Sequence, residues 1–270
     1  MCGISGAYSK QEVNSVAMKI ATDVMSHRGP DAGGYYTSDD KKIFLGHRRL
    51  SIIDLSSVAN QPMYSSCGRY VMVYNGEVYN FNTLRSKLPN QVWKTHSDTE
   101  VILELFAAFG TISFSWLNGM FAIAIHDTIE NKIYLCRDQI GIKPLFYYRD
   151  DNTLLFSSEL KAIQHYFKKG ATGTSLSVNH FAIPYFLHLG FIPEPHTIYD
   201  KVYKFPASQF AILDIATDKL QFQTYWRAEE YFLNAPLDNE DVALKAYRTT
   251  LFDAVESQMV SDVPLGTFLS

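Results

Sequence analysis

Cys2, directly behind the initiator methionine, is the residue of this sequence most suited to covalent chemistry. A cysteine thiol is a strong nucleophile and is partly ionised near neutral pH. Met1 precedes a small residue, the setting in which aminopeptidases act, and its removal would leave Cys2 with a free α-amine. That amine has an unperturbed pKa of about 7.7–8.0, close to the working pH that suits a general base. One residue would then supply nucleophile and base together. Position alone does not establish this, because a cysteine at residue 2 is more often incidental.

Two other short runs carry a local-structure reading beside a chemical one. Asn75-Gly76 follows the alternating run Tyr70-Val71-Met72-Val73-Tyr74, where Asn-Gly signals a hairpin turn; small residues in a turn also bring backbone N–H groups close to a ligand. Ser97-Asp98-Thr99-Glu100 reads as a helix capping box, with Ser97 as the cap and Glu100 reaching back. Such a cap would hold Asp98 at a rigid helix entrance. His27, His47 and His96 lack metal-ligand spacing. Cys67 and Cys136 read as ordinary thiols, and three cysteines without a C-x-x-C predict neither a disulfide framework nor a zinc site. No metal is expected. Arg137, Asp138 and Lys143 fall in a strand–turn–strand segment and are expected to organise the fold rather than to touch substrate.

In order along the chain stand Met1-Cys2-Gly3-Ile4-Ser5-Gly6, His27-Arg28-Gly29-Pro30-Asp31, His47-Arg48-Arg49-Leu50-Ser51-Ile52 and Tyr74-Asn75-Gly76-Glu77-Val78-Tyr79-Asn80. Then come Ser97-Asp98-Thr99-Glu100, Asn118-Gly119-Met120-Phe121-Ala122, Arg137-Asp138-Gln139-Ile140-Gly141-Ile142-Lys143-Pro144-Leu145 and Ser157-Ser158-Glu159-Leu160-Lys161-Ala162. The series closely resembles the class II glutamine amidotransferase domain, in particular that of the asparagine synthetase B family, densely to about residue 165 and more thinly beyond. The resemblance implies glutamine hydrolysis through a Cys2 thioester. It implies an oxyanion hole made by the Asn75 amide and the Gly76 N–H, since a carboxamide is a poor electrophile whose developing charge needs fixed donors. Arg49 aligns with the arginine that takes the substrate's α-carboxylate, a task suited to a guanidinium, within a glutamine-binding stretch that includes Leu50, Ser51, Ile52 and Ile53. Neighbouring strand residues face opposite ways, and the Arg-Leu-Ser-Ile phase selects Arg49 over Arg48. Asp98 aligns with the acid that receives the α-ammonium, with Glu77 nearby.

The elements that would position these residues are visible as periodicities. Strands are expected at 3–9, 43–47, 50–53 and 70–74, then at 120–127, 132–137, 144–148 and 153–157, with later strand-like runs at 209–215 and 220–226. Helices are expected at 12–26, with Val13, Ala17, Ile20 and Val24 on one face, and at 81–88, 99–109 and 178–189. A long helix over 242–261, with Leu244, Tyr247, Leu251, Ala254 and Met259 on one face, follows an acidic linker at 234–241. Two clusters of strands with helices between them predict an α+β fold of packed sheets. The family resemblance specifies a four-layer αββα sandwich of two antiparallel sheets, the N-terminal nucleophile hydrolase glutaminase fold, over residues 1–200. Residues 201–270 are then the linker and the incomplete start of an α/β synthetase domain. The run Val263-Pro264-Leu265-Gly266-Thr267-Phe268-Leu269-Ser270 looks like the strand and first residue of that domain's pyrophosphate loop, with Leu269 the only expected nucleotide contact. The expectation is therefore a fragment or interrupted gene product, with residues 200–270 partly disordered or exposing apolar surface. One departure from the family is Phe205-Pro206-Ala207-Ser208-Gln209, where Pro-Gly-His is usual.

Composition sets outer bounds. The 270 residues are 47% hydrophobic and 19% charged, ordinary for a folded protein, and a net charge of −4 argues for neither nucleic acid nor an anionic membrane. No run approaches a membrane span and no secretory signal opens the chain, so a cytoplasmic protein is expected. Its small-molecule partners would be glutamine and, in the full-length protein, aspartate or another carboxylate, with a homodimer as a further expectation. The resemblance implies no cofactor for the glutaminase, and ATP with Mg²⁺ for the synthetase domain. Related proteins amidate other carboxylates in surface-polysaccharide synthesis, so the acceptor stays open. A non-catalytic ligand-binding module is the rival reading. A protease or amidase of the wider nucleophile class would not need Arg49 and Asp98 as paired charges.

Overall fold

The computed structural model describes residues 1–168, 175–232 and 239–267. Leu269, Ser270 and most of the expected linker at 234–241 lie outside the described residues. Two six-stranded antiparallel sheets form the centre. The first runs, in order across the sheet, β10 (Val202–Lys204), β8 (Phe146–Arg149), β9 (Thr153–Ser157), β1 (Gly3–Ser9), β3 (Ile43–Arg49) and β2 (Ala32–Thr37). The second runs β12 (Lys219–Thr224), β11 (Gln209–Asp214), β7 (Lys132–Arg137), β6 (Gly119–Asp127), β5 (Tyr70–Val78) and β4 (Met63–Tyr64). Helices α1 (Ser15–Asp23) and α4 (Leu160–Lys168) cover the outer face of the first sheet, and α2 (Phe81–Arg85) and α3 (Asp98–Phe109) cover that of the second. This is the α+β, αββα sandwich.

Side-chain alternation sorts the core into three layers. Ile4, Tyr8, Ile43, Leu45, Val71, Val73, Leu135 and Phe156 pack between the sheets. Ala7, Phe44 and Leu155, one residue out of phase, pack with Ala17, Met18 and Ala21 of α1 and with Ile163 and Phe167 of α4. Met72, Tyr74 and Val78 pack with Val101, Leu105 and Phe106 of α3. A strand buried on both faces needs an apolar residue at nearly every position; β5 and β6 meet that demand.

Several elements depart from expectation. Residues 50–53 are irregular backbone, not a strand, and Asn75-Gly76 is not a turn. β5 runs straight through it, with Asn75 opposite Ala122 and Gly76 opposite Phe121 of β6. Gly76 is required by contact instead: a Cβ there would lie 2.3 Å from the Met120 carbonyl oxygen. The first helix is shorter than 12–26 and is turned so that Ala17, Met18, Ala21 and Thr22 are buried while Ile20 is exposed; Asn14 caps it, accepting from Ala17 N–H at 2.9 Å. β2, β10 and α4 are additional to the expected elements. α5 (Ala182–Leu189) starts later than expected, and α6 (Glu229–Phe232) is a single turn.

The expected boundary at 200/201 does not coincide with an edge of either sheet. β10 pairs with β8, and β11 with β7, so residues 202–224 complete both sheets rather than lacking one to join. Within that run Ser208 takes φ 61°, a conformation that favours glycine, and its hydroxyl donates to the Gln139 carbonyl at 2.5 Å. The apolar exposure expected further on is present: α7 (Glu240–Ser257) has no buried residue, and Leu244, Tyr247, Leu251 and Met259 are exposed. Residues 262–267 form no strand.

Candidate active site

The same alternation that builds the inter-sheet core continues past its end and delivers polar residues there. Cys2 is in phase with Ile4, and Asn75 and Glu77 are in phase with Val71 and Val73. Arg49 is in phase with Ile43 and Leu45, and Gly3 pairs with Arg48, so the ladder sets Cys2 across from Arg49. Arg48, out of phase, turns to the α1 side, where its Nη1 lies 3.5 Å from Asp23. Arg49, and not Arg48, lines the pocket described next.

Cys2, Arg49, Leu50, Ile52, Ile53, Asn75, Gly76, Glu77 and Asp98 line one pocket of about 530 Å³, including its open mouth. Ser51 does not; its N–H donates to Asp31 at 2.8 Å, outside the pocket lining. The Cys2 sulfur sits against Leu50, accepting from its N–H at 3.4 Å and donating to its carbonyl at 3.6 Å. Arg28 Nε donates to the Cys2 carbonyl at 2.9 Å, which fixes the backbone that carries the nucleophile.

Asn75 is 1% exposed, yet neither its Nδ2 nor its Oδ1 has a partner among the described residues. A buried amide left unpaired is costly, and native structures hold few. Its neighbour Gly76 contributes from the backbone. On β5 the Tyr74 N–H donates to Gln61 Oε1 at 2.6 Å and the Val78 N–H to Asp98 Oδ2 at 2.9 Å, both on the edge away from β6. By alternation the Gly76 N–H shares that edge, and no side chain or loop among the described residues occupies it.

Asp98 is the first residue of α3 and almost fully buried. Burial pushes its carboxyl up, while the Val78 N–H and the Tyr74 hydroxyl, at 2.7 Å, favour the ionised form. Ser97 does cap the helix, accepting from Glu100 N–H at 3.4 Å, but Glu100 does not reach back to it. The Glu100 carboxylate instead accepts from Lys94 and Thr95 N–H at 2.9 and 2.7 Å, one turn earlier, because Thr95 Oγ1 takes the Ser97 N–H. Arg49 is more committed than expected. Its Nη1 donates to Ser56 O and Asn60 Oδ1 at 2.8 and 2.7 Å, and its Nη2 to the carbonyls of Ile53 and Asp54. Nε is the donor left for a ligand, joined by the N–H groups of Ile52 and Ile53, which have no partner among the described residues.

The family model described as a glutamine amidotransferase domain matches residues 1–226. The chain belongs to the glutamine amidotransferase family. Along its whole length this amidotransferase is 36% identical to a putative glutamine-hydrolysing asparagine synthetase of Methanocaldococcus jannaschii, of which it covers 54%. It is 34% identical to a glutamine-hydrolysing asparagine synthetase of Bacillus subtilis, covering 42%. The chain thus spans about half the length of the curated relatives it matches. Its fold is shared with the glutamine phosphoribosylpyrophosphate amidotransferase of B. subtilis, at TM-score 0.61 and 17% identity over 83% of this chain and 49% of that one. The fold is also shared, at TM-score 0.62 and 18% identity, with an allosteric regulatory enzyme of purine biosynthesis, over 83% of this chain and 49% of that one.

Lys143 was not expected in this pocket, nor His47 as a link between the two sheets. Lys143, assigned from sequence to fold organisation with Arg137 and Asp138, lines the pocket beside Met1, Cys2 and Glu77 at 4% exposure. Arg137 and Asp138 do organise the fold: Arg137 donates to the Lys143 and Gly141 carbonyls, and the buried Asp138 carboxylate accepts from the N–H groups of Phe121, Ile142 and Lys143. That turn is the frame that presents Lys143. His47 pins the two sheets together, donating Nε2–H to the Tyr74 carbonyl at 3.1 Å, and complete burial pushes its pKa down to about 3, so it is neutral. Electrostatically, burial pushes the Cys2 thiol up and the Glu77 carboxyl up, and pushes the Lys143 ammonium and the Met1 α-ammonium down.

Proposed function

We propose that this amidotransferase hydrolyses glutamine to glutamate and ammonia with Cys2 as nucleophile, after Met1 is removed. The observation that carries the reading is the Asn75 amide, buried and unpartnered at the end of the sheet interface where Cys2 emerges. The Cys2 α-amine takes the thiol proton as sulfur attacks the γ-carbonyl carbon. Asn75 Nδ2 and the Gly76 N–H receive the oxyanion. Collapse breaks the C–N bond, the amine's proton leaves with ammonia, and water then cleaves the Cys2 thioester to glutamate. Asp98, with Glu77, holds the α-ammonium, and Arg49 Nε with the Ile52 and Ile53 N–H groups holds the α-carboxylate.

In the full-length protein we propose that the ammonia converts aspartate to asparagine with ATP and Mg²⁺, supported by the asparagine synthetases that match the whole chain. Leu269, the residue expected to touch nucleotide, lies outside the described residues. A domain division after about residue 226 is the reading supported by β12, the last strand in chain order of the second sheet among the described residues. A cytoplasmic location is supported by three free cysteines; among the described residues no helix is long and apolar enough to cross a membrane. Sedimentation velocity tests the expected homodimer. The test of the activity is ammonia release from glutamine by the Met1-processed chain. Release by wild type and none by a chain that retains Met1 is the expected pair; equal release by both refutes the α-amine as base.

A further inference from the structure

The loop Leu50–Asp54 forms one wall of the glutamine pocket without belonging to either sheet, so its shape is set by what grips it. Arg49 grips it from within through the Ile53 and Asp54 carbonyls. The second grip comes from far along the chain. After α7 the backbone returns to the domain, Val260 packs against the core cluster that holds residues of β5, α2 and α3, and Asp262 meets the loop. The Asp262 N–H donates to the Ile52 carbonyl at 2.9 Å, and Asp262 Oδ2 accepts from the Asp54 N–H at 2.7 Å. Asp54 is held further, its carboxylate accepting from Ser56 N–H at 3.0 Å and from His96 N–H at 2.7 Å, with φ 55°. The two contacts of Asp262 bracket the unpartnered Ile53 N–H and directly follow that of Ile52.

We propose that Asp262 is a positioning residue for glutamine: it bridges Ile52 and Asp54, sets the loop so that the Ile52 and Ile53 N–H groups receive the substrate's α-carboxylate, and thereby ties the glutamine site to the segment after α7. This rests on the reading of the pocket given above. Asp262 is exposed, so replacing it opens no cavity and the variants fold. Ammonia release is measured for the whole chain carrying Asp262→Ala and Asp262→Asn. In the alanine variant KM for glutamine rises about three- to tenfold, the worth of one lost hydrogen bond, with kcat unchanged. The asparagine variant restores KM, because its amide oxygen accepts from the Asp54 N–H. An unchanged KM in the alanine variant, or a kcat that falls as far as KM rises, overturns the proposal. If wild type releases no ammonia, the reading of the site fails by itself, and hydrogen exchange still decides the clamp. The Asp54 amide then exchanges faster in Asp262→Ala than in wild type and Asp262→Asn; equal rates in all three overturn it.

Discussion

The two walls of the pocket beside Cys2 are built by different means. Asn75, Gly76 and Glu77 belong to β5, Cys2 lies one residue before β1, and each strand is paired along its length. The opposite wall, Leu50–Asp54, has irregular backbone held by side chains from elsewhere: Asp31, Arg49 and Asp262. Groups on paired strands are held more tightly than groups on loops. On the reading proposed above, Cys2, Asn75 and Gly76 of the strand wall carry the bond-breaking chemistry, where small displacements are expensive, and the loop wall, with Glu77 and Asp98, carries recognition of the substrate's α-amino-acid end. Substitutions at Cys2, Asn75 and Gly76 should act on kcat, and those that touch recognition should act on KM.

The largest effect should come from Cys2→Ala, which removes the nucleophile and should abolish ammonia release; measurable turnover would break the assignment of chemistry to this wall. Asn75→Ala should lower kcat by roughly 10²–10³, as loss of one oxyanion donor does, with KM little changed in steady-state kinetics. Asp98→Asn should raise KM by roughly ten- to a hundredfold while sparing kcat, since a hydrogen bond to a charged group is lost. An equal fall in kcat would move Asp98 from recognition to chemistry. The smallest effect sharpens the comparison through pH. Lys143 opposes protonation of both the Met1 amine and the Cys2 thiolate, in a pocket it shares with Glu77, Asp98 and Arg49, with Arg28 a further charge near it; the Cys2 α-amine, one residue on, lies in the same field. Removing a cation raises the pKa of each group near it. The acid limb of kcat/KM in Lys143→Met should therefore move to higher pH, by roughly half a unit, and Lys143→Arg should restore it.

The residues of the strand wall are readable in the sequence because they sit in short motifs and in strand phase. What those motifs cannot report is which local tendency survives. Asn75-Gly76 has a strong turn signal, but pairing with β6 from Tyr70 to Val78 overrides it. β2 is absent from the expected strands: it opens on Ala32-Gly33-Gly34, where a Cβ on Gly34 would meet the Gln61 carbonyl oxygen at 2.0 Å. Apolar Leu50, Ile52 and Ile53 suggest a strand; the backbone carbonyls of Ile53 and Asp54 are bound by Arg49 instead of by a neighbouring strand. Lys143 is invisible as a pocket residue because its orientation depends on Asp138, which gathers four N–H groups from two segments. The grip of Asp262 on the loop joins residues 208 positions apart, beyond the reach of any local pattern.

The central claim is that Cys2 is a nucleophile whose own α-amine is the base. Intact-mass measurement of the purified chain, before and after exposure to the glutamine affinity label diazo-oxo-norleucine, tests it most directly. The account predicts a chain lacking Met1 that gains one label, with no gain in Cys2→Ala. A labelled, ammonia-releasing chain that still carries Met1, or a label that persists in Cys2→Ala, would contradict it.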